Sequence, residues 1–165
     1  LGMKLGILSD THNNIEVVRR ALGLLRDSGV SRVVHAGDIT SPKMLSLFEG
    51  FTARFVLGNG DIDSEALNEE SRRLGFGPIG ESCVFEEEGK SIIVFHGNNV
   101  PMFREAVASG KYHYVIKGHT HLFENYTAGT SRVINPGALY GADGFTIAIL
   151  DTETGKVERI LVEAE

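Results

Sequence analysis

The pattern that most constrains the fold is a strand–helix unit that occurs three times between residues 4 and 74. Each unit begins with a short apolar or β-branched run and ends in a segment with apolar residues at helical spacing. The runs lie near 4–8, 32–36 and 53–57, and the helical segments near 13–28, 41–49 and 63–74. Strands joined by helical crossovers pair in parallel. The sequence therefore predicts an α/β fold with a parallel sheet.

The second half of the chain is richer in strand patterns. We expect a glycine-rich loop from residue 75, then a hairpin, one short helix and four further strands after it. These predicted elements lie near 82–87, 91–95, 100–109, 112–116, 122–127, 131–135, 145–151 and 156–162. Together with the first half they predict two packed sheets with helices outside. A chain of 165 residues can bury about two-thirds of its unfolded surface, so residues 3–165 are expected to form a single domain.

Composition narrows the possible partners. The net charge is −6 and no lysine–arginine cluster is present, which argues against nucleic acid as a partner because binding to phosphate backbones needs a basic surface. No stretch approaches the roughly 18 apolar residues of a membrane span. Cys83 is the single cysteine, so we expect a reducing, cytoplasmic setting with neither a disulfide nor a thiolate zinc site. Leu1 and Gly2 precede Met3 and are expected to be residues added for expression.

Polar side chains follow the first three predicted strands. Asp10 and His12 come after the first strand, Asp38 after the second and Asn59 after the third. Open parallel sheets bind ligands at the carboxyl ends of their strands. In extended backbone, residues i and i+2 point to the same side, so Asp10 and His12 are expected to converge. Carboxylate and imidazole ligands suit a divalent metal, although the pair could also be a polar turn that caps the following helix.

Three histidines extend this set. His96 follows the strand near 91–95, and His119 and His121 follow the strand near 112–116. Seven oxygen and nitrogen ligands are about right for two ions, and these candidates are Asp10, His12, Asp38, Asn59, His96, His119 and His121. In a two-metal site with ions about 3.5–4 Å apart, a bridging water becomes hydroxide and the cations hold a phosphate for in-line attack. This pattern predicts a phosphoesterase.

Each candidate also has a structural interpretation. Asp38 could start a helix, Asn59 could supply a left-handed turn, and His96 could be a hydrogen-bonded core histidine. Seven such coincidences, all at strand ends, are jointly improbable. The metal-site interpretation is therefore favoured.

Several other polar residues are expected to be structural. Asp61 or Asp63 is expected to cap the third helix, and Asp61 is assigned a structural role. His35 and His113 are expected to be core histidines. The acidic run 86–88 is expected to be a solvated hairpin tip.

Five motifs in this order resemble those of the calcineurin-like metallophosphoesterases. They are Asp-x-His from residue 10, Gly-Asp from 37, Gly-Asn-x-Asp from 58, His-Gly from 96 and Gly-His-x-His from 118. The Ser-Asp-Thr-His start and the late Asn-Pro-Gly at 135–137 are similar to the small YfcE-like phosphodiesterases of bacteria and archaea. The resemblance implies a two-sheet αββα sandwich and a small-molecule phosphoester, most simply a phosphodiester, as substrate.

The resemblance also implies a division of ligands. Asp10, His12 and His121 would hold the first metal. Asn59, His96 and His119 would hold the second metal, and Asp38 would bridge the two ions. A hydroxide between the ions would attack phosphorus. Mn suits these ligands, and Fe, Zn, Ni or Mg remain alternatives.

Two positions depart from the family pattern. Gly60 stands where many members have a histidine and small members often have a cysteine, so the usual proton donor to the leaving group is missing. Asn98 replaces the second histidine of a His-Gly-His sequence and is a possible substrate contact. No catalytic side chain is therefore assigned. Because general acid catalysis contributes about 10²–10⁴-fold, we expect a preference for esters whose leaving groups depart without a proton, such as aryl phosphodiesters.

Other functions remain open at this point. A retromer subunit of the same fold has an altered metal site and works through protein contacts, so a non-catalytic metal-binding scaffold is the main alternative. A phosphomonoesterase would need extra cations near the site, and Lys43, Arg104 and Lys117 are the only plausible neighbours. Small relatives often pair, which makes a homo-oligomer an expectation.

Overall fold

The computed structural model describes residues 3–163 and contains two five-stranded sheets flanked by helices. Leu1 and Gly2, and with them the expectation that they were added for expression, lie outside the described residues. In chain order the elements are β1 (Lys4–Leu8), α1 (Ile15–Asp27), β2 (Arg32–His35), α2 (Pro42–Leu45) with a 3-10 turn (Ser46–Phe48), β3 (Thr52–Phe55), α3 (Ser64–Arg73), β4 (Ser82–Glu87), β5 (Lys90–Phe95), α4 (Val100–Ser109), β6 (Tyr114–Ile116), β7 (Phe123–Ala128), β8 (Ser131–Pro136), β9 (Phe145–Asp151) and β10 (Val157–Val162).

The first sheet has the order β10-β9-β1-β2-β3, and the second has the order β4-β5-β6-β8-β7. β1, β2 and β3 pair in parallel, with Ile7 opposite Val34 and Val34 opposite Arg54. This confirms the predicted parallel pairing. In the second sheet β5, β6 and β8 are parallel. Each sheet is extended by antiparallel strands, so both have a central parallel part whose strand ends can carry a site.

Three apolar layers hold the fold together. Leu5, Ile7 and Val34 from the first sheet share one buried cluster with Ile92 and Ile116 from the second. A second cluster joins α1, α2 and α3 to the first sheet, and a third joins α4 to β5, β6 and β8. Complete burial of one such aliphatic side chain contributes about 1.5–3 kcal/mol. The order helix, sheet, sheet, helix confirms the predicted αββα sandwich.

The helices follow the predicted periodicity with local differences. In α1 the buried face includes Val18, Leu22 and Leu25. Asn14 occupies the N-cap position, but its side chain makes no capping bond and donates instead to the Leu139 carbonyl at 2.7 Å. The predicted helix at 41–49 is a single α-turn followed by a 3-10 turn. Within residues 3–163, no helix has the length and apolar character needed to cross a membrane.

Some structural expectations for polar residues are corrected. Glu87 is buried, and its carboxylate accepts a hydrogen bond from Arg32 at 3.3 Å, so the 86–88 run is not a uniformly solvated tip. His113 is exposed, with Nδ1 accepting from the Ser91 N–H at 3.0 Å, so it is not a core histidine. His35 is fully buried, as expected. Of the two aspartates expected to cap α3, Asp63 is the cap, because its side chain accepts from the Ala66 N–H at 3.0 Å. Asp61 instead accepts hydrogen bonds from backbone N–H groups outside α3.

Candidate metal centre

The candidate site lies at the carboxyl ends of strands from both sheets. The segments after β1 and β2 carry Asp10, His12 and Asp38, and the segments after β5 and β6 carry His96 and the pair at 119 and 121. Backbone hydrogen bonds join the first two segments: the Asp10 N–H donates to Gly37 and the His12 N–H to Asp38, both at 3.0 Å. The sheets therefore deliver these polar residues to one region.

The backbone at the site is left-handed. Five of the seven candidate ligands have positive φ, namely Asp10 at 53°, His12 at 45°, Asp38 at 62°, His119 at 74° and His121 at 65°. Asp10 and His12 do converge as expected. The expected reason, extended backbone, is wrong, because both residues lie beyond the strand in a left-handed conformation that strands do not use. Left-handed non-glycine residues cost roughly 1–2 kcal/mol each and cluster at functional sites.

One group of potential ligands consists of Asp10, His12 and His121, each with one ligand atom within 4.8 Å of the others. His121 Nε2 lies 3.3 Å from Asp10 Oδ1. On the other side of the ring, His121 Nδ1–H donates to the Gly141 carbonyl at 3.1 Å, since a carbonyl can only accept. In the neutral ring, Nε2 therefore presents its lone pair toward Asp10. Metal-binding histidines commonly use this arrangement.

A second group consists of Asp10, Asp38 and His96, again within 4.8 Å of one another. His96 repeats the arrangement, with Nδ1–H donating to the Ala36 carbonyl at 2.7 Å. Its Nε2 lies 3.4 Å from Asp38 Oδ2 and 3.7 Å from Asp10 Oδ1. Both groups share Asp10, and Asp38 Oδ2 also lies 3.5 Å from His12 Nε2. Each carboxylate thus faces histidines of both groups.

Two buried atoms at the centre lack hydrogen-bond partners among residues 3–163: Asp10 Oδ1 and His96 Nε2. The other oxygen of Asp10 accepts from the Ser9 hydroxyl at 2.6 Å and from the His119 N–H at 3.0 Å. Buried polar atoms are nearly always satisfied. An anionic oxygen and an imidazole lone pair that face each other in the interior are stabilised by positive charge between them. The residues present therefore fit a divalent metal.

Electrostatics keep Asp38 ionised. Burial disfavours its charged form, but the nearby rings of His96 and His12 and the hydrogen bond from the Gly60 N–H lower the Asp38 pKa to about 2. The pKa of His96 shifts in the opposite direction and is raised. Burial lowers it, and the Asp38 and Asp10 carboxylates outweigh burial and raise it. The carboxylates thus favour positive charge at this point, whether it comes from a proton or from a metal.

Asn59 and His119 lie outside the two groups of potential ligands. Both are exposed, and His119 belongs to neither group. The ring centroids of His119 and His96 are 5.1 Å apart. Asn59 and His96 line the same cavity. The structure therefore brings five of the seven candidates into two groups and places the other two beside His96.

Two buried residues hold the site segments in place. The Asp61 carboxylate accepts from the N–H groups of Asp38 at 2.9 Å, Thr40 at 2.7 Å and Gly58 at 2.8 Å. Burial nevertheless raises the Asp61 pKa. His35 Nδ1 accepts from the Gly37 N–H at 3.1 Å, so its Nε2–H donates to the Thr11 hydroxyl at 2.9 Å. Burial, with a further contribution from His96, lowers the His35 pKa to about 3.

A cavity of about 300 Å³ opens beside this centre. Its walls include Asn59, Glu81, His96, Asn98 and Asn99, and none of the residues from 3 to 163 that line it is a lysine or arginine. Gly60 borders the metal centre: its N–H donates to Asp38 Oδ1 at 2.7 Å, and a Cβ on this residue would lie 3.0 Å from the same oxygen. Any side chain at position 60 would therefore press on the carboxylate.

Lys43, Arg104 and Lys117, the three cations considered as neighbours of the site, do not line its cavity. Lys117 Nζ lies 3.3 Å from Glu124 Oε1 and 5.0 Å from the Phe103 ring centroid. Its charge is therefore already engaged. Lys43 and Arg104 are exposed and absent from the cavity wall.

Two residues that contact the site had no role assigned from the sequence. Tyr140 packs on His12, with ring centroids 4.4 Å apart. Asn135 fixes the segment of His119 and His121, because its amide donates to the Gly118 carbonyl at 3.0 Å and to the Thr120 hydroxyl at 3.1 Å. Asn135 belonged to a recognised motif, Asn-Pro-Gly. Tyr140 carried no local signal, because its partner comes from the other end of the chain.

An αββα sandwich that gathers aspartate and histidine at its strand ends defines the metal-dependent phosphoesterase class. A model of the calcineurin-like phosphoesterase superfamily domain matches residues 3–155, and the chain belongs to this superfamily. It is an enzyme of the phosphoesterase class.

Individual relatives agree with this assignment. A phosphodiesterase of Methanocaldococcus jannaschii is 33% identical over 98% of this chain and 100% of its own length. A solved structure described as a novel archaeal phosphodiesterase has a TM-score of 0.88 and 32% identity, covering 97% of this chain and 100% of its own. YfcE, a phosphoesterase from E. coli, has a TM-score of 0.69 at 20% identity, covering 98% of this chain and all of its own. At this level of identity, the likeness to YfcE shows a shared fold and no more.

Proposed function

We propose that the chain is a phosphodiesterase that works with two divalent metal ions, with Mn the first candidate and Fe, Zn, Ni or Mg the alternatives. The observation that carries this proposal is the pair of buried, unpartnered atoms, Asp10 Oδ1 and His96 Nε2. Two overlapping ligand groups around them support two ions rather than one. The likeness to a phosphodiesterase at 33% identity over nearly the whole chain supports a diester as substrate.

In this proposal Asp10, His12 and His121 would hold one metal, and His96 would hold the other with help from the exposed pair Asn59 and His119. Asp38 belongs to the second group and also faces the first, because its Oδ2 lies 3.4 Å from His96 Nε2 and 3.5 Å from His12 Nε2. When bound, such cations polarise phosphoryl oxygens and lower the pKa of water, which supplies a nucleophile at neutral pH. The chain contributes orientation, because backbone carbonyls at Ala36 and Gly141 fix the rings of His96 and His121. Asp38 contributes charge, because its low pKa keeps it ionised.

The charges around the centre support a diester over a monoester. A phosphodiester carries one negative charge, whereas a monoester carries nearly two and needs additional cations around its terminal oxygens. Within the described part of the chain no lysine or arginine lines the cavity, and Lys117 is paired with Glu124. The exposed Glu81 on the cavity wall further disfavours a second anionic group. We therefore assign the substrate to the monoanionic phosphodiesters.

The experiment is hydrolysis of bis(p-nitrophenyl) phosphate by protein freed of metal and then reloaded with Mn²⁺. We expect turnover by the wild type and a loss of at least about 100-fold in Asp38→Asn, since even indirect partners of metal sites contribute 10–100-fold. Asp27→Asn is the matched control, because Asp27 is an exposed aspartate at the end of α1. Metal binding without turnover of any phosphoester would instead support the non-catalytic scaffold.

A further inference from the structure

Tyr140 lies beside the candidate metal centre and is not explained by metal binding. It sits in the loop between β8 and β9, where the preceding Ala138 and Leu139 are fully buried. Its ring covers His12, with centroids 4.4 Å apart and an angle of 34° between the planes. Half of the side chain is still exposed, at 50%. One face of the ring is thus used by His12, and the exposed remainder is available at the rim of the site.

The loop that carries Tyr140 is fixed on both sides. The Leu139 carbonyl accepts from Asn14 Nδ2 at 2.7 Å, and the Leu139 N–H donates to the Asp10 carbonyl at 3.3 Å. On the other side, the Gly141 carbonyl accepts from His121 Nδ1–H at 3.1 Å. These contacts bind the loop to segments that carry candidate ligands. The backbone on both sides of Tyr140 is therefore anchored to the site, and its side chain packs on His12.

Two different environments flank the centre. On the side of His96 is the polar cavity, whose wall includes Asn98 and Asn99. On the side of His12 is the half-exposed ring of Tyr140. A phosphodiester has two ester groups, one leaving and one retained. Because side-chain amides can donate to a departing oxygen, the cavity suits the leaving group. The retained group is then left to the tyrosine side.

We propose that Tyr140 is a specificity-determining residue that stacks on a planar aromatic group retained on phosphorus, as in a nucleoside phosphodiester. The proposal rests on the proposed phosphodiesterase function and adds a class of substrate to it. An uncharged ring offers a face to any base, and stacking of a base on an aromatic side chain contributes roughly 5- to 150-fold in affinity. The ring, rather than the hydroxyl, carries this effect.

The test compares two substrates with the same leaving group, the p-nitrophenyl ester of thymidine monophosphate and methyl p-nitrophenyl phosphate. In Mn²⁺-loaded wild type, we expect kcat/KM for the thymidine ester to exceed that for the methyl ester by about 5-fold or more, mainly through KM. Tyr140→Leu should bring this ratio close to one, and Tyr140→Phe should keep it. Tyr126→Leu is the control, because Tyr126 is a partly exposed tyrosine on β7, and it should also keep the ratio.

Equilibrium binding gives a second readout. By calorimetry, thymidine monophosphate should bind the wild type more tightly than methyl phosphate, and Tyr140→Leu should remove the difference. A wild-type ratio near one, a ratio retained in Tyr140→Leu, or an equal loss in Tyr140→Phe would overturn the stacking proposal. If neither ester is hydrolysed, the proposed phosphodiesterase function fails, and the binding comparison still decides whether Tyr140 stacks on a base.

Discussion

Asp10 Oδ1 and His96 Nε2 lie 3.7 Å apart in the interior, and neither has a hydrogen-bond partner among residues 3–163. The two residues come from different sheets, and their side chains are almost completely buried. Each is otherwise well anchored, Asp10 through Ser9 and the His119 N–H, and His96 through the Ala36 carbonyl. The fold therefore holds an acceptor oxygen and a ring nitrogen face to face, an arrangement that a cation stabilises.

Asp10→Asn should separate stability from metal binding. An amide at this position can donate to His96 Nε2 and removes a buried charge, and unpaired buried charges are costly. We expect metal-free Asp10→Asn to melt at the same temperature as wild type or higher. Mn²⁺ at 100 times its Kd should stabilise the wild type by about 2.7 kcal/mol for each bound ion and leave the variant almost unchanged. Thermal melts with and without Mn²⁺ measure both effects, and an equal Mn²⁺ shift in the two proteins would contradict the ligand role of Asp10.

The buried His35 should make stability depend on pH. Its pKa is about 3 in the folded protein, against 6.5 for the free side chain, so the unfolded chain binds the extra proton between these values. Stability is therefore complete above pH 6.5 and falls as the pH decreases, by roughly 1.4 kcal/mol per unit. Between pH 6.5 and 5 this loss is about 2 kcal/mol.

His35→Gln should flatten this dependence, because glutamine can accept from Gly37 and donate to Thr11 without titrating. Urea unfolding of both proteins at several pH values, with chelator present, measures the slopes. Identical slopes in the two proteins would show that His35 does not titrate on unfolding.

Asp61 should be needed for the geometry of the centre. Asp61→Ala leaves three backbone N–H groups without their acceptor, and each unsatisfied buried donor costs roughly 1–3 kcal/mol. We expect a destabilisation of at least about 2 kcal/mol together with weaker Mn²⁺ binding. Asp61→Asn keeps one acceptor oxygen and should lose less of both.

Asp63→Ala is the matched control for this prediction, because it removes the α3 cap and should cost about 0.5–2 kcal/mol without changing Mn²⁺ affinity. Urea unfolding and calorimetric titration distinguish the two aspartates. Weakened Mn²⁺ binding in Asp63→Ala but not in Asp61→Ala would reverse the assignment.

Gly60 should make the rate sensitive to the leaving group. Without a proton donor at this position, rates on a series of aryl phosphodiesters should fall steeply as the pKa of the leaving phenol rises. A flat dependence in the wild type would show that another residue protonates the departing oxygen. Gly60→His would add the missing proton donor, but its Cβ would lie 3.0 Å from Asp38 Oδ1. The substitution would therefore also displace the Asp38 carboxylate. Gly60→Ala is therefore the control for the displaced carboxylate.

The sequence predicted the fold well because its signals are local. The predicted strand near 145–151 matches β9, and the predicted helix near 100–109 matches α4. Parallel pairing followed from the helical crossovers. The 41–49 helix was wrong in detail, because its amphipathic pattern does not distinguish an α-helix from an α-turn that continues as a 3-10 turn.

For the site, the sequence supplied candidate ligands and not their geometry. The ligand candidates were visible because acids and histidines follow strands. The left-handed backbone of Asp10 and His12 was not, since it depends on hydrogen bonds to Gly37 and Asp38 in another segment. The contact between Tyr140 and His12 was not predictable either, because the two residues are far apart in the sequence and come together only in the folded chain.

Calorimetric titration of metal-free protein with Mn²⁺ tests the central claim most directly. The two overlapping ligand groups predict two ions per wild-type chain, and Asp38→Asn, which removes a carboxylate facing both groups, should bind fewer or bind them much more weakly. Binding of one ion or none to the wild type, or unchanged binding by Asp38→Asn, would contradict the two-metal account.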